Sequence, residues 1–131
     1  MAPQTSDSFN DGRNIHDRTF TFGCRIVNFC GRLYDRGGIA RLMAPQLLRC
    51  GTSVPGMMEE AKAAESRRDF ISKCAIALKA ANESHVRLRM HVACEVGPLD
   101  EAKELCGEAL EIKSIIGAIV SNTRRNGSGR R

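Results

Sequence analysis

The chain has 131 residues, of which 42% are hydrophobic, and a formal net charge of +5. This length suits one domain, and no uninterrupted apolar stretch approaches the roughly 20 residues of a membrane span. Five phenylalanines, one tyrosine and no tryptophan leave a core of aliphatic side chains, alanine and cysteine. Such a core favours packed helices over a β-sandwich.

The net charge is concentrated at the C-terminus. Residues 121–131 contain four arginines and no acid, so residues 1–120 carry only +1 of the +5. Charged ends of this kind are usually solvated. We predict a flexible N-terminal arm over residues 1–16, which lacks the apolar core of a signal peptide, a folded domain over 17–123 and a basic flexible tail over 124–131.

Six cysteines are many for this length, but none form a C-x-x-C pair and none have zinc-finger spacing with histidine. The pattern predicts a cytoplasmic protein with free thiols that act as small hydrophobic side chains, and with no metal or cofactor. The cysteines are Cys24, Cys30, Cys50, Cys74, Cys94 and Cys106.

The first two predicted helices span about 17–35 and 39–65. Apolar residues recur at three and four positions in the first helix, which Gly37-Gly38 ends. The second contains Pro45 and Pro55, and we expect it to kink or restart at Pro55.

The third predicted helix begins after Ser66, an N-cap with Asp69 in the first turn, and ends before Gly97-Pro98. The fourth runs from about Leu99 to Thr123. Short connections make neighbouring helices antiparallel, which predicts an all-α, up-down-up-down four-helix bundle. The predicted seam of the third helix consists of Ile71, Cys74, Leu78, Ala81, His85, Leu88 and Val92.

A second set of apolar residues lies away from the main seams of the third and fourth helices. A lone bundle needs one apolar stripe on each helix, so a second stripe predicts a subunit interface and a homo-oligomer. The predicted interface residues are Ile76, Val86, Met90, Cys94, Leu110 and Ile115.

No residue pattern indicates catalysis. His85 is interpreted as a hydrogen-bonded interior or interface histidine, and there is no phosphate-binding loop or nucleophile elbow. Acids line one face of the fourth helix, which we interpret as a solvated outer face because nothing indicates a cleft. These acids are Asp100, Glu104, Glu108 and Glu111. We therefore predict that the protein is not an enzyme.

Basic residues are the only candidates for a binding site. Arg18, Arg25 and Arg32 repeat every seven residues, which places them on one face of the first helix. No aromatic residues interleave with them, so contact with a nucleic-acid backbone is favoured over base reading; a solvated face is the alternative. The full candidate set is Arg18, Arg25, Arg32, Arg36, Arg49, Arg124 and Arg125, with Lys62, Arg67 and Arg68 adding charge nearby.

Two adjacent motifs resemble a known family. Residues 46–56 (QLLRCGTSVPG) and 66–83, which contain SRRDFISK and IALKAANE, are similar to the signature of the small four helix bundle protein family. Members are encoded in intervening sequences of bacterial 23S rRNA genes, and the accessory protein of diversity-generating retroelements shares their fold. Met57 departs from the pattern, in which Asn is typical at this position.

The resemblance implies a ring-like homopentamer without enzymatic activity. It also implies a nucleic-acid role, beside ribosomal RNA or a reverse transcriptase as protein partner. Two functional hypotheses follow, a nucleic-acid-binding accessory protein and a protein-interaction scaffold that binds no nucleic acid. Binding to RNA that weakens with salt would favour the first, and a partner retained in high salt would favour the second.

Overall fold

The computed structural model describes the backbone of residues 14–129 and the side chains of residues 14–127. It contains four α-helices, namely α1 (Ile15–Arg36), α2 (Gly38–Lys62), α3 (Arg67–Cys94) and α4 (Leu99–Gly129). All four predicted helices are present. Most of the predicted N-terminal arm, residues 1–13, lies outside the described residues, and α1 begins two residues before the predicted domain boundary.

The helices form an antiparallel up-down-up-down bundle, which confirms the predicted fold class. Each helix packs against its sequence neighbours, and α4 returns to pack against α1 with the sparsest of these four contacts. Connections of one to four residues force each helix to reverse direction. As a result α1 and α3 occupy diagonal corners and run in the same direction.

Side-chain caps fix where two helices begin. The side chain of Asn14 accepts hydrogen bonds from the backbone N–H groups of His16 and Asp17, both at 3.1 Å. The Ser66 hydroxyl accepts one from the N–H of Asp69 at 3.0 Å, which confirms the predicted N-cap of α3. Each cap satisfies N–H groups that the first turn of a helix leaves unpaired.

The predicted restart at Pro55 is wrong, because α2 continues as a helix through both Pro45 and Pro55. Tight packing against α1 offsets the local cost of a helical proline, which is about 3 kcal/mol. A Cβ atom on Gly23 would lie 2.8 Å from the Pro55 ring, and a Cβ on Gly51 would lie 2.7 Å from Ile26. The two glycines therefore let α1 and α2 approach closely on either side of the proline.

The core-facing side of α3 differs from the predicted seam. His85 is half-buried, and the enclosed histidine is His91, at 1% exposure. Large apolar residues at three-four spacing defined the predicted seam, whereas α3 also buries a row of small residues that includes Ser84, whose hydroxyl contacts Cys50 of α2. The buried residues of α3 are Cys74, Ala77, Ala80, Ala81, Ser84, Leu88 and His91.

The last helix is longer than predicted. It continues to Gly129, so residues 124–129 are helical rather than a flexible tail, and Arg130 and Arg131 lie outside the described residues. Arg67 of α3 packs along this end, since a Cβ on Gly127 would lie 3.1 Å from the Arg67 Cδ atom. Its Nη1 also donates to the carbonyl of Thr123 at 3.4 Å. These contacts hold the end of α4 in helical form.

Among the described residues, no helix is both long enough and apolar enough to cross a membrane. Met57, the residue that departs from the family pattern, packs against the hydrophobic core.

Candidate nucleic-acid interface

Arg18, the first of the predicted binding arginines, lies inside the bundle. Its Nε donates to Glu108 Oε2 at 2.8 Å and its Nη2 to Glu108 Oε1 at 2.9 Å, and it also bonds Glu111. The side chains of Arg18 and Glu108 are only 3% and 2% exposed. The prediction that Arg18 contacts nucleic acid is therefore wrong, because its guanidinium is enclosed between α1 and α4.

The other two arginines of the seven-residue repeat also face acids of α4. Arg25 pairs with Glu104 at 2.8 Å, and Arg32 pairs with Glu101. Because the two helices are antiparallel, successive arginines along α1 meet acids in reverse order along α4. We name this set of ion pairs the α1–α4 ladder. The seven-residue arginine repeat of α1 therefore joins two helices rather than binding a ligand.

The prediction of a solvated acidic face on α4 is wrong for one of its four residues. Glu108 is buried, whereas Asp100, Glu104 and Glu111 are exposed, although Glu104 also pairs with Arg25 and Glu111 with Arg18. The hydrogen bonds to Glu108 and Glu111 raise the pKa of Arg18, so its guanidinium stays charged. The bidentate geometry favours the ionised pair at neutral pH, because one guanidinium bonds both carboxylate oxygens.

The four remaining predicted arginines are exposed, at both ends and on the side of the bundle. Arg49 lies 3.6 Å from Glu83, and Arg36 makes no ion pair with any described residue. Arg124 and Arg125 lie on the last turns of α4, where Arg125 bonds the side chain of Asn122. These positions do not form one continuous stripe, so the predicted set divides into separate locations.

Exposed arginines gather where α3 begins and α4 ends. The packing of Arg67 along α4 brings these two helix ends together. We name the resulting cluster the basic end, and it consists of Arg67, Arg68, Arg124 and Arg125. A signal for it was present in the sequence as two Arg-Arg pairs, each at a helix end, which antiparallel packing places side by side.

The predicted interface residues form a set of apolar side chains on the bundle surface. Cys94 is exposed and Ile115 is half-buried. The exposed fractions of the others are 47% for Ile76, 37% for Val86, 47% for Met90 and 46% for Leu110. A second apolar surface, which was not predicted from the sequence, comprises the exposed residues Phe20, Val27 and Tyr34 of α1 and Leu48 of α2.

The buried side chains of His91 and Cys50 form hydrogen bonds inside the bundle. His91 Nδ1 donates to the carbonyl of Val96 at 2.8 Å, and its ring lies edge-on to Phe29. The Ser84 hydroxyl donates to Cys50 Sγ at 3.4 Å. Burial raises the pKa of the Cys30 thiol to about 12 and lowers the pKa of His91, which opposes formation of a reactive thiolate.

All six cysteines are unpaired. Within the part of the chain that the structure describes, no three His, Cys, Asp or Glu residues are grouped closely enough to hold a metal ion.

The fold and these sites define a four-helix-bundle protein in which a ladder of ion pairs, one of them buried, joins α1 to α4, and which displays a basic end and apolar faces. The model of the 23S rRNA-intervening sequence protein family matches residues 16–118, and the chain belongs to this family. This confirms the resemblance noted in its motifs.

The chain is also similar to a crystal structure of a protein of unknown function from the S23 ribosomal protein family of Bacteroides thetaiotaomicron. The two share 32% sequence identity over 82% of this chain and 98% of that chain, with a TM-score of 0.74. No curated protein matches the chain.

Proposed function

We propose that the protein is a non-enzymatic, homo-oligomeric accessory protein that binds the phosphate backbone of RNA or DNA through its basic end. The observation that carries this proposal is the division of the arginines. Those of the α1–α4 ladder are paired with acids of α4, whereas Arg68 and Arg124 are exposed and make no ion pair with any described residue. Their charge is available to an anionic partner.

The geometry of the basic end supports backbone contact. Arginines on a formed helix lose less conformational freedom on binding than arginines on a disordered tail. The exposed aromatic residues Phe20 and Tyr34 lie on α1, which is not one of the two helices that form the basic end, and this favours phosphate contact over base stacking. In a cyclic oligomer the same end of every copy faces one side of the ring, which multiplies the local positive charge.

The resemblance favours five copies, with ribosomal RNA or a reverse transcriptase as the macromolecule that the protein accompanies. Neither the family membership nor the crystal structure of the similar protein identifies a binding partner. The partner therefore enters here as part of the proposal, supported by the family's gene context.

The proposal is tested by exchanging charge at opposite ends of the bundle. We expect Arg124→Glu/Arg125→Glu to lower affinity for RNA about tenfold or more at low salt and to flatten the dependence of affinity on salt, because phosphate contacts release counterions. Fluorescence anisotropy with labelled RNA and DNA provides the measurement.

The matched control is Arg36→Glu/Lys103→Glu, which changes the net charge equally at exposed positions near the opposite end. Equal losses in both variants would indicate non-specific attraction and would contradict a site at the basic end.

A protein-interaction scaffold is the alternative, and the exposed apolar surfaces on α1 and α3 favour it. If the intact protein binds neither RNA nor DNA at low salt, this alternative replaces the first proposal. A partner retained through high salt would then support it.

A further inference from the structure

The acids of α3 and α4 form their ion pairs away from the outer groove between these two helices. On α3, Asp69 pairs with Lys73, which also pairs with Glu60 of α2. Glu83 pairs with Arg49 of α2. Four acids of α4 contact arginines of α1, namely Glu101, Glu104, Glu108 and Glu111. The α3–α4 groove receives none of these six carboxylates.

Basic residues line the α3–α4 groove instead. A Cβ on Gly117 would lie 3.9 Å from the Leu78 side chain, which sets the register of α4 against α3. His85 lies two turns after Leu78 on the same face, level with the position seven residues before Gly117 on the antiparallel α4. Lys113 lies about 4.5 Å along the axis from that level, and Arg89 lies one turn beyond His85. We name His85, Arg89 and Lys113 the α3–α4 cation cluster.

The members of this cluster act on one another without a counter-ion. Burial lowers the pKa of the half-buried His85, and the charges of Lys113 and Arg89 lower it further. Arg89 and Lys113 make no ion pair with any described residue. Asp100, the remaining acid of α4, lies in its first turn, about 20 Å along the axis from Lys113. Like charges that share a groove repel, so the cluster carries a cost in the folded chain alone.

The cluster extends the line of charge that starts at the basic end. Arg124 lies eleven residues after Lys113, which is three helical turns, so both side chains leave the same face of α4. Arg67, which donates to the Thr123 carbonyl, brings the start of α3 against this part of α4. From Arg124 to the level of Arg89 the line covers about 27 Å along the bundle axis. Cations spread along one groove suit a linear polyanion better than a compact anion.

We propose that a strand of nucleic acid runs from the basic end along the outer groove between α3 and α4, where its phosphates contact the α3–α4 cation cluster. This rests on the proposed function and adds the path of the strand. Arg89 offers a guanidinium fork to phosphate oxygens, Lys113 a point charge and His85 a ring N–H. A phosphodiester chain carries a charge on every nucleotide, so it meets spaced cations in succession, whatever its sequence.

Neutralising the cluster tests this path. Arg89→Gln/Lys113→Gln removes two charges and keeps polar side chains in the groove. We expect its affinity for a labelled single-stranded RNA at low salt to fall about tenfold or more. The slope of log affinity against log salt should become shallower by about 1.4, because each phosphate contact contributes about 0.7 on a single strand. Fluorescence anisotropy measures both quantities.

Arg36→Gln/Lys79→Gln is the matched control, since it removes two charges from exposed residues that make no ion pair with any described residue. It should leave the salt slope unchanged. Light scattering checks that both variants keep the oligomeric state of the unaltered protein. Circular dichroism melts give a second distinction, because Arg89→Gln/Lys113→Gln relieves repulsion and should melt no lower than the unaltered protein. Residues with a merely structural role would lower the melting temperature when replaced.

The Hε1 proton of His85 reports contact with the groove directly in NMR spectra. His85→Gln identifies the resonance by its absence. RNA should shift this resonance at concentrations at which inorganic phosphate does not, because a lone phosphate lacks the linked contacts of the basic end.

Four outcomes overturn the inference. If Arg124→Glu/Arg125→Glu weakens RNA binding but Arg89→Gln/Lys113→Gln matches its control, the strand contacts the basic end alone and the proposed function stands. If inorganic phosphate shifts the His85 resonance as readily as RNA does, the groove holds a single anion. If polyglutamate binds as tightly as RNA and with the same loss in the variant, the groove recognises acidic protein. If the intact protein binds neither RNA nor DNA, the proposed function fails together with the path.

Discussion

Arg18 and Glu108 are the two charged residues that the described part of the chain buries. Removing charges from water is costly, and a bidentate pair repays that cost only when both partners are present. The Arg18 guanidinium spans the sparsely packed gap between α1 and α4 and bonds both oxygens of the Glu108 carboxylate. The pair therefore specifies how α1 docks on α4.

We predict that Arg18→Met destabilises the bundle by about 3–5 kcal/mol, because it leaves the Glu108 carboxylate buried without its partner. The double variant Arg18→Met/Glu108→Leu is expected to recover most of that loss, since apolar residues of similar volume replace both charges. Urea unfolding followed by circular dichroism gives both values. A double variant no more stable than Arg18→Met would show that the charges themselves are required.

At the scale of the helices, the sequence was sufficient to predict the existence, order and direction of all four. Local signals such as the Ser66 cap and the Gly37 stop mark their ends. The course of α2 through Pro55 could not be predicted, because it depends on two glycines, one on each helix, that permit close packing. The length of α4 likewise depends on the tertiary contacts of Arg67 with its last turns.

Part of the α1–α4 ladder could be predicted from the sequence. The arginine repeat on α1 and the acidic face on α4 were both recognised, but each pattern alone is typical of a solvated surface. Antiparallel docking distinguishes these two charged patterns from solvated surfaces, because it brings Arg25 against Glu104 and Arg32 against Glu101. The basic end could not be predicted for a related reason, since its two arginine pairs are more than 50 residues apart in sequence.

His91 joins α3 to the turn that follows it. The Val96 N–H donates to the His91 carbonyl at 3.0 Å, and the His91 ring donates back to the Val96 carbonyl. Burial lowers the pKa of His91 from its ordinary value of 6.5. The unfolded chain therefore binds a proton at a higher pH than the folded protein does, and the free energy of unfolding should decrease as pH falls below 6.5.

We predict that His91→Gln reduces this loss of stability between about pH 7.5 and about pH 5. The glutamine amide can still donate to the Val96 carbonyl but does not titrate. Urea unfolding at several pH values measures the slope. His85→Gln is the control, because the burial that lowers the pKa of His85 is only partial and its removal should change the slope less. An unchanged slope in His91→Gln would assign the acid sensitivity to other groups.

At the scale of the whole molecule, assembly and nucleic-acid binding should be coupled. The basic end of one copy offers few phosphate contacts, whereas a ring repeats that end at regular spacing around one side. Linked sites bind a long polymer more tightly than each site alone, commonly by a factor of about 10²–10⁴. In the proposed homo-oligomer, the contacts between copies thus determine the affinity of a surface to which they contribute no residue.

Val27→Glu separates these effects, because it places a charge on the exposed apolar surface of α1, which an oligomer is expected to bury, and leaves the basic end intact. On an RNA of about 10 nucleotides, near the span of a single site, we expect the variant and the unaltered protein to bind with equal affinity per copy. On an RNA several times longer the variant should bind at least about a hundredfold more weakly and with a shallower salt dependence, since fewer phosphates are contacted at once. Anisotropy titrations on both RNAs provide the comparison. The control Gly107→Glu adds the same carboxylate at an exposed position of α4, where a new Cβ would contact nothing within 4 Å, and should match the unaltered protein on each RNA. Equal affinity of Val27→Glu and the unaltered protein for the long RNA would contradict the coupling and would mean that each copy binds alone.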